Sequence, residues 1–273
     1  MTLENGHELV LHNPPASLTL IRHARSSYNQ SRLLLESDPL YLEFKSEYKR
    51  NPESEETVRL ALLCNEKYAS IEDEFNTPLA DGADKEAEVS GFSLSRLFPV
   101  PDVVFVSPFL RTKSTLDFLI HGWSKLGNIP TYVDDRVQEQ RHGDMLGYPN
   151  RRIFLALNPK ERRLYDSEGE YYYRYPNGDS VLDIQIRIRL WLNMIYEKFP
   201  GKHVLVVTHH KVILAARVEI DNLSTDDYYK LDNEDKPINC GITRYVLNES
   251  TDPKKAHLKL AEYNLNIIEN LNT

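Results

Sequence analysis

Three short runs in this 273-residue chain place cationic or imidazole side chains directly after apolar segments: Arg22-His23-Ala24-Arg25-Ser26-Ser27-Tyr28-Asn29, Ser107-Pro108-Phe109-Leu110-Arg111-Thr112, and Thr208-His209-His210. A histidine flanked by arginines is electrostatically unusual. The guanidinium charges disfavour imidazolium and keep a ring nitrogen available as a nucleophile until an incoming anion neutralises them. Arginine also matches phosphate oxygens through two parallel hydrogen bonds. The chemistry that these residues fit is therefore attack on a phosphorylated substrate.

The apolar segments must bring those residues together. Ser17–Ile21, Val103–Val106 and His203–Thr208 read as buried strands, each running into one of the three motifs. Helical periodicity is expected over Ala83–Leu97, Thr112–Ile120 and Ser180–Phe199, the last followed by Gly201 as a stop. Ile242–Leu247 and His257–Tyr263 read as final strands, with fraying expected over about 264–273. Strands alternating with helices predict a three-layer α/β/α fold around a mostly parallel sheet. Parallel strands present their C-terminal ends along one edge, so the three motifs share one focus of positive charge. The stretch from about Leu33 to Ile71, interrupted at Asn51-Pro52, is read as two helices of a cap over the strand ends, within an insertion of about residues 31–75.

Composition limits the alternatives. With 41% hydrophobic and 27% charged residues, the chain is that of a globular protein, and its length fits one domain over residues 1–273. A net charge of -8 argues against non-specific binding to nucleic acid or anionic membrane, so an anionic substrate requires a local basic pocket. No apolar run is long enough to span a bilayer and Met1–Pro15 lacks a signal-peptide pattern, giving a cytoplasmic expectation. Cys64 and Cys240 stand apart without zinc or disulfide spacing and are expected as buried or half-buried thiols.

The ordered motifs resemble the histidine phosphatase superfamily, which includes cofactor-dependent phosphoglycerate mutases and many phosphatases. RHARSSYN is similar to that family's R-H-G-x-[ST]-x-x-N, with Ala24 in place of glycine. Asn76-Thr77-Pro78-Leu79 with Glu86-Ala87 and Gly91, Ser107 to Arg111, and Val137 to Gly147 resemble its next three motifs. Thr208-His209 resembles its second-histidine motif, with His210 where glycine is usual. The resemblance spans about Ser17 to Leu247 and implies a phosphoglycerate mutase-like fold.

It further implies that His23 is the nucleophile, that Arg22, Arg111 and His209 bind the phosphoryl oxygens, and that Glu139 protonates the leaving oxygen and then activates water. Asn29 and Ser26 are expected in the same pocket, with His210, His142 and Arg174 as further substrate-binding candidates. His210 pointing away from the pocket stays open as the alternative. So does Ala24, which is tolerable if its dihedrals are not glycine-specific. No metal or cofactor is expected, because arginine and histidine supply the positive charge. The implied activity is hydrolysis of small phosphate monoesters, of the histidine acid phosphatase type. Tyr173-Arg174-Tyr175-Pro176-Asn177-Gly178-Asp179-Ser180 resembles a segment of a phosphatase-like branch. Arg162-Arg163 keep a mutase in play as paired carboxylate-binding arginines, against the reading of a solvated helix face. The tyrosines at 171, 172, 173 and 175 are expected to pack a loop, with an aromatic wall for the leaving group as the alternative. A non-catalytic phosphate-binding protein is the remaining reading.

Overall fold

The computed structural model describes residues 14–68, 73–248 and 256–267. Its sheet has six strands in the order β3-β2-β4-β1-β5-β6. These are β1 (Ser17–Arg22), β2 (Val103–Val106), β3 (Thr131–Val133), β4 (His203–Thr208), β5 (Ile242–Leu247) and β6 (Leu258–Leu265). β4 pairs in parallel with β1 and β2, and β2 with β3, whereas β5 runs antiparallel to both β1 and β6. The mostly parallel α/β expectation holds.

β1, β2 and β4 read as largely apolar runs because helices cover both faces of the sheet there. Within each strand the period of two divides the side chains between two cores. Leu18, Leu20, Val204 and Val206 point to one core, packed on Ile184, Ile188, Trp191 and Ile195 of α8 (Val181–Lys198) and on Val212 and Ile213 of α9 (His210–Asp221). Ile21, Leu205 and Val207 point to the other, against Leu94 of α4 (Ala83–Leu97) and Leu116 and Leu119 of α5 (Leu110–Gly122). Gly91 is where α4 meets α5: a Cβ there would lie 2.2 Å from the Leu119 carbonyl oxygen.

The cap contains three helices rather than the two expected: α1 (Ser27–Ser37), α2 (Pro39–Arg50) and α3 (Glu55–Lys67). The extra boundary falls at Asp38, which accepts a hydrogen bond from Leu40 N and is followed by Pro39 at the first helical position. Leu35, Tyr41, Phe44, Leu60 and Cys64 form a core of their own with Ile153 of α6 (Arg151–Leu157). Cys64 and Cys240 are buried free thiols. Residues 264 and 265 belong to β6 and Ile267 is buried, so the expected fraying does not begin at 264; residues 268–273 lie outside the described residues. α7 (Pro159–Glu168) and α10 (Thr225–Glu234) complete the described helices.

Candidate active site

Register brings the three motifs together. Arg22 at the end of β1 pairs with Thr208 at the end of β4, so His23 and His209 leave the sheet side by side. His23 N donates to Thr208 O at 2.9 Å, and the two rings meet edge to face with centroids 5.2 Å apart. β2 ends one strand further over, where Ser107 N donates to Val207 O at 3.1 Å, and α5 then delivers Arg111 from its first turn.

The protonation pattern of His23 follows from its contacts. Nδ1 lies 2.7 Å from the Ala24 carbonyl, an acceptor only, so Nδ1 carries the hydrogen. Nε2 then holds the lone pair and accepts from Arg111 Nε at 3.2 Å. Burial, then the charges of Arg111 and Arg22, hold the His23 pKa well below the ordinary histidine value. Burial pushes Arg22 down to about 10 despite the opposing Glu139 charge. Arg111 is lowered by burial too, and is fixed by donating to Glu74 O at 2.8 Å and by stacking on Phe109. The result is an imidazole held towards its neutral form beside guanidinium groups.

Ala24 takes the place of glycine without strain. It is fully buried beside Ala83 and Ala87, its N–H donates to Thr115 Oγ1 at 2.9 Å, and it is absent from the positive-φ residues. Asn239, which the sequence reading missed, donates to the His23 carbonyl at 2.8 Å and fixes the same turn from the strand β5 side.

His209 is fully buried, its Nε2 lies 2.7 Å from Ser107 Oγ, and its Nδ1 has no hydrogen-bond partner among the described residues. Burial, followed by the charges of Arg111 and His23, lowers its pKa as well. Glu139 sits in the loop after a 3-10 turn at Asp135–Val137. Thr208 Oγ1 donates to Val137 O at 2.7 Å, and Arg187 of α8 donates to Gln138 O at 3.1 Å and to Glu139 O at 3.4 Å. That clamp holds the carboxylate against the cavity.

Arg22, His23, Ser26, Asn29, Arg111, Glu139, His142 and His210 all border one cavity, with His209 packed beneath it against His23. Ser26 and Asn29 form the capping box of α1: Asn29 Oδ1 accepts from Ser26 N at 3.1 Å and from Ser26 Oγ at 3.0 Å. The amide donor of Asn29 is thereby left for the cavity. His142 Nδ1 lies 3.4 Å from Glu74 Oε2. His210 faces the cavity rather than pointing away.

Arg174 is corrected: it lies outside the cavity, 64% exposed and paired with Asp183. Tyr173 and Tyr175 both turn inward onto Phe154 and Met145, so the residue between them turns out. The segment acts as a buttress, with Asp144 N donating to Pro176 O at 2.9 Å. None of the tyrosines at 171, 172, 173 and 175 lines the cavity; Tyr28 and Tyr148 do, unflagged by the sequence. Glu74, Arg32 and Lys211 are further cavity residues that the reading missed. Arg162 and Arg163 lie outside it. Arg162 is not solvated but 9% exposed, bound to Glu53 and Asp166. Among the described residues no three His, Cys, Asp or Glu side chains converge as a metal site, and no helix is long and apolar enough to cross a membrane.

A family model of the histidine phosphatase superfamily (branch 1) matches residues 66–256, a span that carries Arg111, Glu139 and His209 and begins after His23. The 2,3-bisphosphoglycerate-dependent phosphoglycerate mutase 2 of Gloeobacter violaceus is 27% identical over 165 residues, 58% of this chain and 71% of the relative. Two solved structures share the fold. Mycobacterial glucosyl-3-phosphoglycerate phosphatase complexed with VO3 superposes with a TM-score of 0.62 at 16% identity, covering 92% of this chain and all of that one. The alpha-ribazole phosphatase of Shigella flexneri gives 0.61 at 14% identity, covering 91% and 96%.

Proposed function

This chain belongs to the histidine phosphatase superfamily, and we propose that it is a metal-independent phosphomonoesterase that acts through a covalent phosphohistidine on His23. The observation that carries the reading is the setting of His23 at the cavity: Nδ1 lies 2.7 Å from the Ala24 carbonyl, and Nε2 accepts from Arg111 Nε at 3.2 Å.

In the proposed reaction, Nε2 attacks phosphorus in line while the bond to the leaving oxygen breaks. Arg22, Arg111 and His209 stabilise the equatorial oxygens where charge is concentrated. Glu139 gives its proton to the departing alkoxide, then as carboxylate takes one from the water that attacks the phosphohistidine. Water's oxygen joins phosphorus, inorganic phosphate leaves, and His23 regains its lone pair. The covalent step divides one hard displacement into two easier ones. The substrate is a small phosphorylated molecule, and the setting consistent with the sequence is the cytoplasm.

The mutase reading finds a sequence relative in the Gloeobacter enzyme, but Arg162 and Arg163 offer no paired carboxylate clamp at the cavity. The test is hydrolysis of p-nitrophenyl phosphate in excess EDTA by wild type and His23→Ala. Turnover that survives chelation and vanishes in the variant supports the proposal. Turnover that persists in His23→Ala refutes the nucleophile, and phosphate binding without turnover returns the non-catalytic reading.

A further inference from the structure

His23 is held by more than its ring. The peptide that joins it to Ala24 is gripped at both ends. Its N–H, on Ala24, donates to Thr115 Oγ1 of α5 at 2.9 Å, and that hydroxyl donates in turn to Arg111 O at 2.6 Å. Its carbonyl, on His23, accepts from Asn239 Nδ2 at 2.8 Å. The plane of this peptide matters to the chemistry because Ala24 O, the next carbonyl along the chain, lies 2.7 Å from His23 Nδ1. Rotating the plane would swing that carbonyl away and change the direction in which Nε2 points.

Asn239 reaches this peptide from a turn, residues 237–241, that leads into β5. The turn also grips the end of β1: Arg22 NH1 donates to Pro237 O at 2.7 Å, Cys240 N to Arg22 O at 3.1 Å, and Arg22 N to Gly241 O at 3.2 Å. Its shape is demanding. Cys240 has a φ of 57°, a left-handed conformation that is unfavourable for a residue with a Cβ, and a Cβ on Gly241 would lie 2.8 Å from the Ile238 carbonyl oxygen. Ile238 N is tied to Asn264 Oδ1 of β6 at 2.7 Å. Asn239 does not itself border the cavity, and the second group its Nδ2 meets is Asn29 Oδ1 at 3.4 Å. That Asn29 atom is the oxygen because Ser26 N, a donor only, points to it at 3.1 Å. Two acceptors therefore face Asn239, and only the NH2 end of its amide satisfies both.

We infer that Asn239 is a positioning residue for phosphoryl transfer. From outside the cavity it fixes the peptide plane behind His23 and the orientation of the Asn29 amide, so that Nε2 is aimed for in-line attack. Aim matters most as Nε2 closes on phosphorus, whereas a bound phosphate is held by the arginines, so loss of the Asn239 donor falls on kcat and leaves KM nearly alone. The inference rests on the reading of His23 as nucleophile, and its test treats the two separately.

Asn239→Ala and Asn239→Asp would be compared with wild type; aspartate keeps the shape of asparagine and removes the donor. Both should lower kcat for p-nitrophenyl phosphate about 10- to 100-fold with KM within about threefold. A second readout needs no turnover. Orthovanadate takes up five-coordinate geometry on a nucleophilic nitrogen, while inorganic phosphate of the same shape and charge type is only held, so calorimetry with the two separates aim from anion binding. Wild type should prefer vanadate, and both variants should lose vanadate affinity by about the factor lost in kcat while keeping phosphate within about threefold. A merely structural role would lower the Tm and weaken both anions alike. Equal losses for the two anions, an intact kcat and vanadate preference in either variant, or failure of both variants to fold would overturn the inference. A wild type without vanadate preference would refute His23 as nucleophile and take the inference with it. A wild type that hydrolyses no ester, yet whose vanadate preference disappears in the variants, would sink the phosphomonoesterase reading and leave Asn239 as a positioning residue.

Discussion

Acidifying the protein should destabilise it through the buried histidines of the candidate active site. His23 and His209 are both buried and held neutral, with folded-state pKa values well below 6.5. In the unfolded chain each takes up a proton as pH falls through about 6.5, and the folded state does not. Stability therefore rises with pH in this window: the contribution is fully present above the unfolded pKa and is lost progressively below it. Between about pH 7 and about pH 5 one such histidine forfeits about 2 kcal/mol, and the pair about 4 kcal/mol. His210, also lowered, adds in the same direction. Urea denaturation across that range would give the total slope, to which carboxylates contribute, so the decisive measurement is a difference. His23→Asn should lose about 2 kcal/mol less than wild type over the same interval. Inorganic phosphate should shrink the wild-type loss, because an anion against the rings favours imidazolium. A variant with the same pH dependence as wild type would refute the claim that His23 is neutral because it is buried between guanidinium groups.

Three further outcomes are expected. Arg111→Lys removes both the Nε contact to His23 and the bond to Glu74 O, and should lower kcat/KM about a hundredfold by steady-state assay; an unchanged value would contradict its place at the phosphoryl group. Glu139→Gln should slow alkyl phosphates about a hundredfold or more and p-nitrophenyl phosphate least, since a good leaving group needs little protonation. Equal losses across leaving groups of different basicity would argue against the acid role. Gly91→Ala, whose Cβ would meet the Leu119 carbonyl oxygen at 2.2 Å, should destabilise by about 1–3 kcal/mol in urea denaturation through forcing α4 from α5.

Much of this protein was legible before any coordinates. The apolar runs Ser17–Ile21, Val103–Val106 and His203–Thr208 announce themselves because strands covered on both faces need apolar side chains at every position. The same reasoning missed β3, whose Thr131, Tyr132 and Val133 are all exposed and so carry no burial pattern. α8 was visible from its periodicity, whereas the third cap helix was hidden because Asp38-Pro39 ends one helix and begins the next without a loop between.

The division is similar at the site. A strand end fixes the residue that follows it, so Arg22, His23, Arg111 and His209 could be placed from sequence once the strands were known to be parallel. What only the tertiary structure decided was the direction of side chains on loops and on the cap. Arg174 points out because its two tyrosine neighbours are buried. Arg162 is an internal tie rather than a surface or substrate residue. Lys211 and His210 are held by Asp232 and Glu170, which lie 21 to 41 residues away in the chain and meet them only because α9, α10 and the turn after α7 pack together. Local pattern encodes which face of a strand or helix is apolar, whereas the pairing of distant polar side chains depends on how those faces close upon one another.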